Sequence, residues 1–123
     1  MSATLHKPAG QHLLADLYGV TGEILTQVAA IEALLRQSAQ AAGATVVHGH
    51  FHSFGRGKGV TGVLLLAESH MSIHTWPEAG FVAADIFMCG SAAPQRALAV
   101  IQAALQPSST DIKNIARGNA TQD

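Results

Sequence analysis

The chain has 123 residues, 48% of them apolar and 12% charged, with a formal net charge of −1. That length holds one domain with a modest core, and the apolar content argues against a disordered chain. The charge gives no reason to expect a nucleic-acid partner, and no apolar run is long enough for a membrane span, so no membrane partner is expected either.

Residues 1–9 read as a loose leader without the long apolar stretch of a signal peptide. Gln11 to Tyr18 reads as a first strand, closed by Gly19 and Gly22. Thr21 is placed to cap a helix running to about Ala42. Its Ile24, Leu25, Val28, Ile31, Leu34 and Leu35 recur with a period of about 3.6, which predicts one face packed on a sheet. Gly43 is placed as its stop. Ala44 to Phe54 reads as a strand with Val47, Gly49, Phe51 and Ser53 on one face. His48, His50, His52 and Phe54 take the other. Three imidazoles at that spacing are able in principle to hold zinc, but no neighbouring Cys or carboxylate completes the set. No metal site is expected, and an exposed or interfacial face is the better account. The loop Gly55-Arg56-Gly57-Lys58-Gly59 lacks the spacing of a phosphate-binding loop and is expected to be a hairpin loop near a substrate.

Val60 to Ala67 reads as a strongly apolar strand, His70 to Thr75 as an alternating one, Trp76-Pro77-Glu78 as a turn, and Phe81 to Met88 as a further strand. Pro94 opens a second helix with Ala97, Leu98, Val100, Ile101 and Leu105 on its apolar face. Pro107 ends it, Thr110 to Ala116 forms a last strand, and the residues after Gly118 read as a disordered tail. The order predicts a single α+β domain over residues 1–123, with two helices packed on a largely antiparallel sheet. One sheet face then stays open unless another subunit covers it. The single Cys89 has no internal disulfide partner, which fits a reducing cytoplasm.

The chemistry concentrates between Glu68 and Glu78, where a small nucleophile, two histidines and two carboxylates follow an apolar strand. Two uses of Ser69 are open from the residues alone. One is a hydrolase set of Ser69, His74 and Asp85, although no G-x-S-x-G surrounds the serine. The other is attack of the Ser69 hydroxyl on its own chain at the Glu68 carbonyl. That route needs a strained, well-held peptide and ends, after elimination, in an N-terminal pyruvoyl group, an electron sink made from the chain.

The run Glu68-Ser69-His70-Met71-Ser72-Ile73-His74-Thr75-Trp76-Pro77-Glu78 lies between Gly59-Val60-Thr61-Gly62-Val63 and Asp85-Ile86-Phe87-Met88-Cys89-Gly90. Together these resemble the short prokaryotic S-adenosylmethionine decarboxylase proenzymes, and the likeness extends from about Gly10 to Gly118. The resemblance implies that Ser69 is the pyruvoyl precursor, with a cut after Glu68 that gives a β chain of 1–68 and an α chain of 69–123. It implies that His74 is the base for processing and that Thr61 supplies an assisting hydroxyl. It implies that Cys89 returns a proton to the substrate Cα, a task suited to a thiol. Phe54 resembles an aromatic that stacks on adenine, and Glu78 a ligand-binding or structural carboxylate. The implied assembly is a homodimer of processed protomers forming an α/β/β/α sandwich, with active sites near the subunit interface. The bland readings are a core cysteine, a satisfied His74, Trp76 and Pro77 as turn structure, His70 as local packing, and Asp85 orienting a neighbour.

Two positions depart from the family pattern. Thr61 stands where a serine is usual, and the loop after Phe54 is one residue longer, lacks proline and adds Arg56 and Lys58. The expected substrate is S-adenosylmethionine. The alternatives are L-ornithine or L-arginine, which pyruvoyl enzymes on this scaffold also decarboxylate, and an unprocessed regulatory subunit.

Overall fold

The computed structural model describes residues 8–118; the expectations for the first residues of the leader and for the tail after Gly118 lie outside them. Six strands form one antiparallel sheet: β1 (Ala9–Tyr18), β2 (Val46–Ser53), β3 (Val60–Leu66), β4 (Ser69–Trp76), β5 (Phe81–Cys89) and β6 (Ser109–Gly118), in the order β2-β3-β4-β5-β1-β6. Helices α1 (Val28–Ala41) and α2 (Pro94–Leu105) lie side by side on one face, α1 over β2, β3 and β4, α2 over β1 and β5. This is the expected α+β fold.

Alternation builds the core. Leu13, Ala15 and Leu17 of β1, Met71 and Ile73 of β4, and Val82, Ala84, Ile86 and Met88 of β5 point towards the helices and are buried. They meet Ile31, Leu34 and Leu35 of α1 and Ala97, Leu98 and Ile101 of α2. Each fully buried large aliphatic contributes about 1.5–3 kcal/mol, so this face holds the sheet to its helices. The other face is uncovered, and Tyr18, Val63, Leu65, Trp76 and Ile115 stand exposed there.

The expected first helix is broken. A 3-10 turn, Glu23–Thr26, comes first; Gln27 is extended at φ −103°, ψ 97°, and α1 begins only at Val28. Thr21 caps neither piece. The cause lies in β4: the buried Thr75 hydroxyl donates to the Leu25 carbonyl at 2.7 Å and accepts from the Val60 N–H at 2.9 Å. That bond fixes the turn on the sheet, so the chain must change direction before the helix. The other end is as expected. Gly43, at φ +84°, lets its own N–H reach Gln40 and the Ala44 N–H reach Ala39, the paired bonds of a Schellman stop.

Strand β2 is shorter than expected and carries a bulge between Val46 and His48. Val46 therefore takes the inner place, and Val47, expected on the inner face with Gly49 and Phe51, is 65% exposed. His48, His50 and His52 sit opposite Leu65, Val63 and Thr61, on the open face as expected. Among the described residues no three of His, Cys, Asp and Glu come together in a way that would hold a metal ion.

Candidate active site

β3 and β4 are joined by the two-residue turn Ala67-Glu68, with Leu66 paired to Ser69. Glu68 has φ +61°, a left-handed conformation that turns ordinarily give to Gly or Asn. Strain is therefore held in the residue whose carbonyl precedes Ser69. The Ser69 hydroxyl accepts a hydrogen bond from the Cys89 N–H at 3.2 Å, which ties the start of β4 to the end of β5. A cavity of about 150 Å³ opens here, lined by Thr45, Ala67, Glu68, Ser69, Cys89 and Ser91 among others. A second, of about 480 Å³, shares Glu68 and Cys89 and adds Gly10, Phe87 and Arg117.

The other end of the hairpin holds a separate cluster. Thr61 pairs with His74 across β3 and β4, and its Oγ1 lies 3.2 Å from His74 Nδ1. When Nδ1 carries the proton and donates to that hydroxyl, Nε2 presents its lone pair outward. Trp76 lies beside the imidazole, with ring centroids 6.0 Å apart. A cavity of about 520 Å³ is lined by Phe54, Lys58, Thr61, His74, Trp76 and Glu78 among others. Gly59, one of its lining residues, packs its backbone directly on the end of β4: a Cβ there would run into the Thr75 carbonyl. Phe54 is 58% exposed and meets His52 edge to face at 4.8 Å.

The model of the S-adenosylmethionine decarboxylase family matches residues 11–118. The chain belongs to that family. The S-adenosylmethionine decarboxylase proenzyme of Methanococcus maripaludis strain C7 is 42% identical over 113 residues, 91% of this chain and 92% of that protein. The proenzyme of Sulfurihydrogenibium sp. YO3AOP1 is 43% identical over 115 residues, 93% of this chain and 86% of that one. Among solved structures, the crystal structure of the adenosylmethionine decarboxylase from Aquifex aeolicus VF5 is 39% identical, with a TM-score of 0.84, and covers 95% of this chain and 97% of that chain.

Within this family member the expected site residues fall into two groups. Glu68, Ser69 and Cys89 come together; Thr61, His74, Phe54 and Glu78 come together; the groups are separated along β4. Five residue steps of strand separate Ser69 from His74, which is roughly 17 Å at about 3.4 Å per step. The hydrolase set does not assemble. His74 is engaged with Thr61, and Asp85 accepts from the Ser72 hydroxyl at 3.2 Å. Asp85 does lie near a neighbour, 3.9 Å from His12 Nε2. His70 packs on Phe87 and His12, as local packing predicts.

Three participants were not singled out as site residues by the sequence reading. Trp76, read as turn structure, lines the larger cavity and is 40% exposed. Arg117 sits over the Phe87 ring, 5.6 Å from its centroid. Gly10 is the β1 residue opposite Cys89, where a Cβ would meet the Cys89 sulfur at 2.9 Å. For the first and third the signal was present, an aromatic within a motif rich in reactive groups and a glycine inside a strand. Arg117 lies 39 residues beyond Glu78, the end of the motif, and is brought in only by the β1–β6 pairing.

Proposed function

We propose that this chain is a self-processing decarboxylase that converts S-adenosylmethionine to its decarboxylated form and carbon dioxide. The observation that carries the reading is the Glu68–Ser69 peptide: a left-handed non-glycine residue immediately before a serine whose hydroxyl is tethered to Cys89. Its residues fit the pyruvoyl group expected from Ser69. The strain favours attack of the hydroxyl on the Glu68 carbonyl, and the resulting ester breaks when a base takes the Ser69 Cα proton and Glu68 leaves as a carboxylate. Water then converts the unsaturated residue to the ketone with loss of ammonia. The group so formed supplies an electron sink for the bond that releases carbon dioxide.

His74 is the base, and Thr61 holds its tautomer. Cys89 donates the proton that replaces the lost carboxyl group at the substrate Cα. Phe54 stacks on the adenine, and Glu78 accepts from polar groups of the bound substrate. Because Ser69 and His74 stand apart in one chain, the complete site takes Ser69 and Cys89 from one protomer and Thr61 and His74 from a second. The apolar residues exposed on the open sheet face support a homodimer packed sheet to sheet, the α/β/β/α arrangement. No helix among the described residues is long and apolar enough to cross a membrane, and a cytoplasmic enzyme without nucleic-acid or membrane partners is the reading we adopt.

The relatives described above all carry the S-adenosylmethionine name, and nothing in the site favours ornithine or arginine over it. The test is denaturing mass analysis before and after borohydride, then carbon dioxide release from each of the three substrates. Fragments 1–68 and 69–123, a reducible blocked terminus on the second, and release from S-adenosylmethionine are expected. An uncut chain, or release from an amino acid alone, would overturn the assignment.

A further inference from the structure

Among the described residues, Arg117 is the cation that lines the cavity of about 480 Å³ beside Cys89, and the processing chemistry gives that residue no task. Its position is fixed from three sides. Its backbone pairs with Gly10 near the end of the β1–β6 ladder. The next residue, Gly118, is at φ +64° where a Cβ would overlap the Pro8 carbonyl, so the end of β6 is held against β1. The guanidinium lies over the face of Phe87, 5.6 Å from the ring centroid. An aromatic face beneath a guanidinium holds the plane while leaving the N–H groups at its edge free to bind. Gly10, lacking a side chain, keeps the space between that edge and the Cys89 sulfur open.

This cavity and the one at Ser69 share Glu68 and Cys89. On the decarboxylase reading Cys89 protonates the substrate Cα, so that carbon lies beside Cys89 when the amine is held at Ser69, and the carboxylate on it has Arg117 as the described cation of the adjoining space. We infer that Arg117 is a specificity residue that receives the substrate carboxylate by a charge-assisted, two-pronged hydrogen bond. The inference rests on the decarboxylase reading. It also accounts for selection of substrate over product, which differ by that carboxylate. The carboxylate is held in the bound substrate, so loss of the contact raises KM; kcat stays unchanged where the contact is kept in the transition state and rises where the departing carboxylate has already given it up.

The test compares Arg117→Gln and Arg117→Lys with the parent, all as processed enzyme. Steady-state kinetics with S-adenosylmethionine are measured alongside calorimetric Kd values for decarboxylated S-adenosylmethionine. For Arg117→Gln, KM rises about 10- to 100-fold, as expected for loss of a hydrogen-bonded charge pair, while kcat is unchanged or raised. Product Kd stays within about twofold, and Arg117→Lys falls between. Equal weakening of substrate and product means that Arg117 only supports the fold there, and overturns the inference. An unchanged KM does so too, and is the result expected if Arg117 instead holds the carboxylate that cutting creates on Glu68. Parent enzyme that releases no carbon dioxide from S-adenosylmethionine would sink the decarboxylase reading itself, a distinct outcome.

Discussion

Replacing Glu68 by Gly tests whether the backbone at the cut drives processing. Glu68 is held at φ +61°, where a residue with a Cβ costs about 1–2 kcal/mol and Gly costs nothing comparable. The acyl shift turns the planar Glu68–Ser69 amide into a tetrahedral centre and then an ester, which frees the turn to relax. Strain present in the precursor and lost on the way to the transition state speeds the reaction, and 1–2 kcal/mol corresponds to roughly 5- to 30-fold. Glu68→Gly should therefore slow cutting by up to that factor, and Glu68→Asn, which tolerates the left-handed region better than Glu, by less. The same substitution in an uncut Ser69→Ala background should raise equilibrium stability by only about 0.5–1 kcal/mol, because the freer unfolded Gly chain takes back part of the gain. The first effect is read by following loss of the 12.7 kDa chain on denaturing gels after translation, the second by urea unfolding. A precursor stabilised by Gly that still cuts at the parental rate would refute the argument and leave Glu68 as turn geometry alone.

Thr75→Val keeps the shape of a side chain that is 5% exposed but strands the Val60 N–H and the Leu25 carbonyl. At about 1–3 kcal/mol for each of the two buried groups left without a partner, a loss of roughly 2–6 kcal/mol is expected, seen as a lower urea midpoint at unchanged slope. A loss below about 1 kcal/mol would mean that the turn before α1 is not held by this hydroxyl. Thr61→Val should slow processing about tenfold by releasing the His74 ring, with Thr61→Ser close to the parent; equal rates for all three would remove Thr61 from the reaction. Cys89→Ala should still be cut, since the Ser69 hydroxyl is held by the residue-89 backbone and not by the sulfur, but decarboxylation should fall by about 100-fold or more. Parental turnover would exclude the thiol as proton donor. Co-expressing Ser69→Ala with His74→Ala chains tests the shared site: a His74→Ala chain uncut on its own should be cut in the hybrid, and failure in a demonstrated hybrid dimer would place base and serine in one chain.

What could be read in advance followed the range of the forces involved. The strands announced themselves by local alternation, and Gly43 by a local backbone demand, so β3, β4, β5 and the end of α1 were legible. The break at Gln27 was not, because its cause is Thr75, fifty residues beyond the Leu25 carbonyl it binds. The apolar spacing across residues 24–35 is compatible with one continuous helix, and only the tertiary hydrogen bond interrupts it. The bulge at Val47 was hidden in the same way: a one-residue slip leaves composition unchanged while turning a valine from the inner face to solvent. The chemical residues were legible as a motif but not as an arrangement. Written in a line, Ser69 and His74 look like partners; an extended strand carries them to opposite ends of a hairpin, each beside residues that lie outside the run Glu68–Glu78. Cys89 and Arg117 gather at one end, and Thr61, Phe54 and Lys58 at the other. On the proposed reading, a chain that keeps its nucleophile and its base that far apart is chemically incomplete alone, and the same geometry that separates them would give the open sheet face its reason to be covered by a second copy.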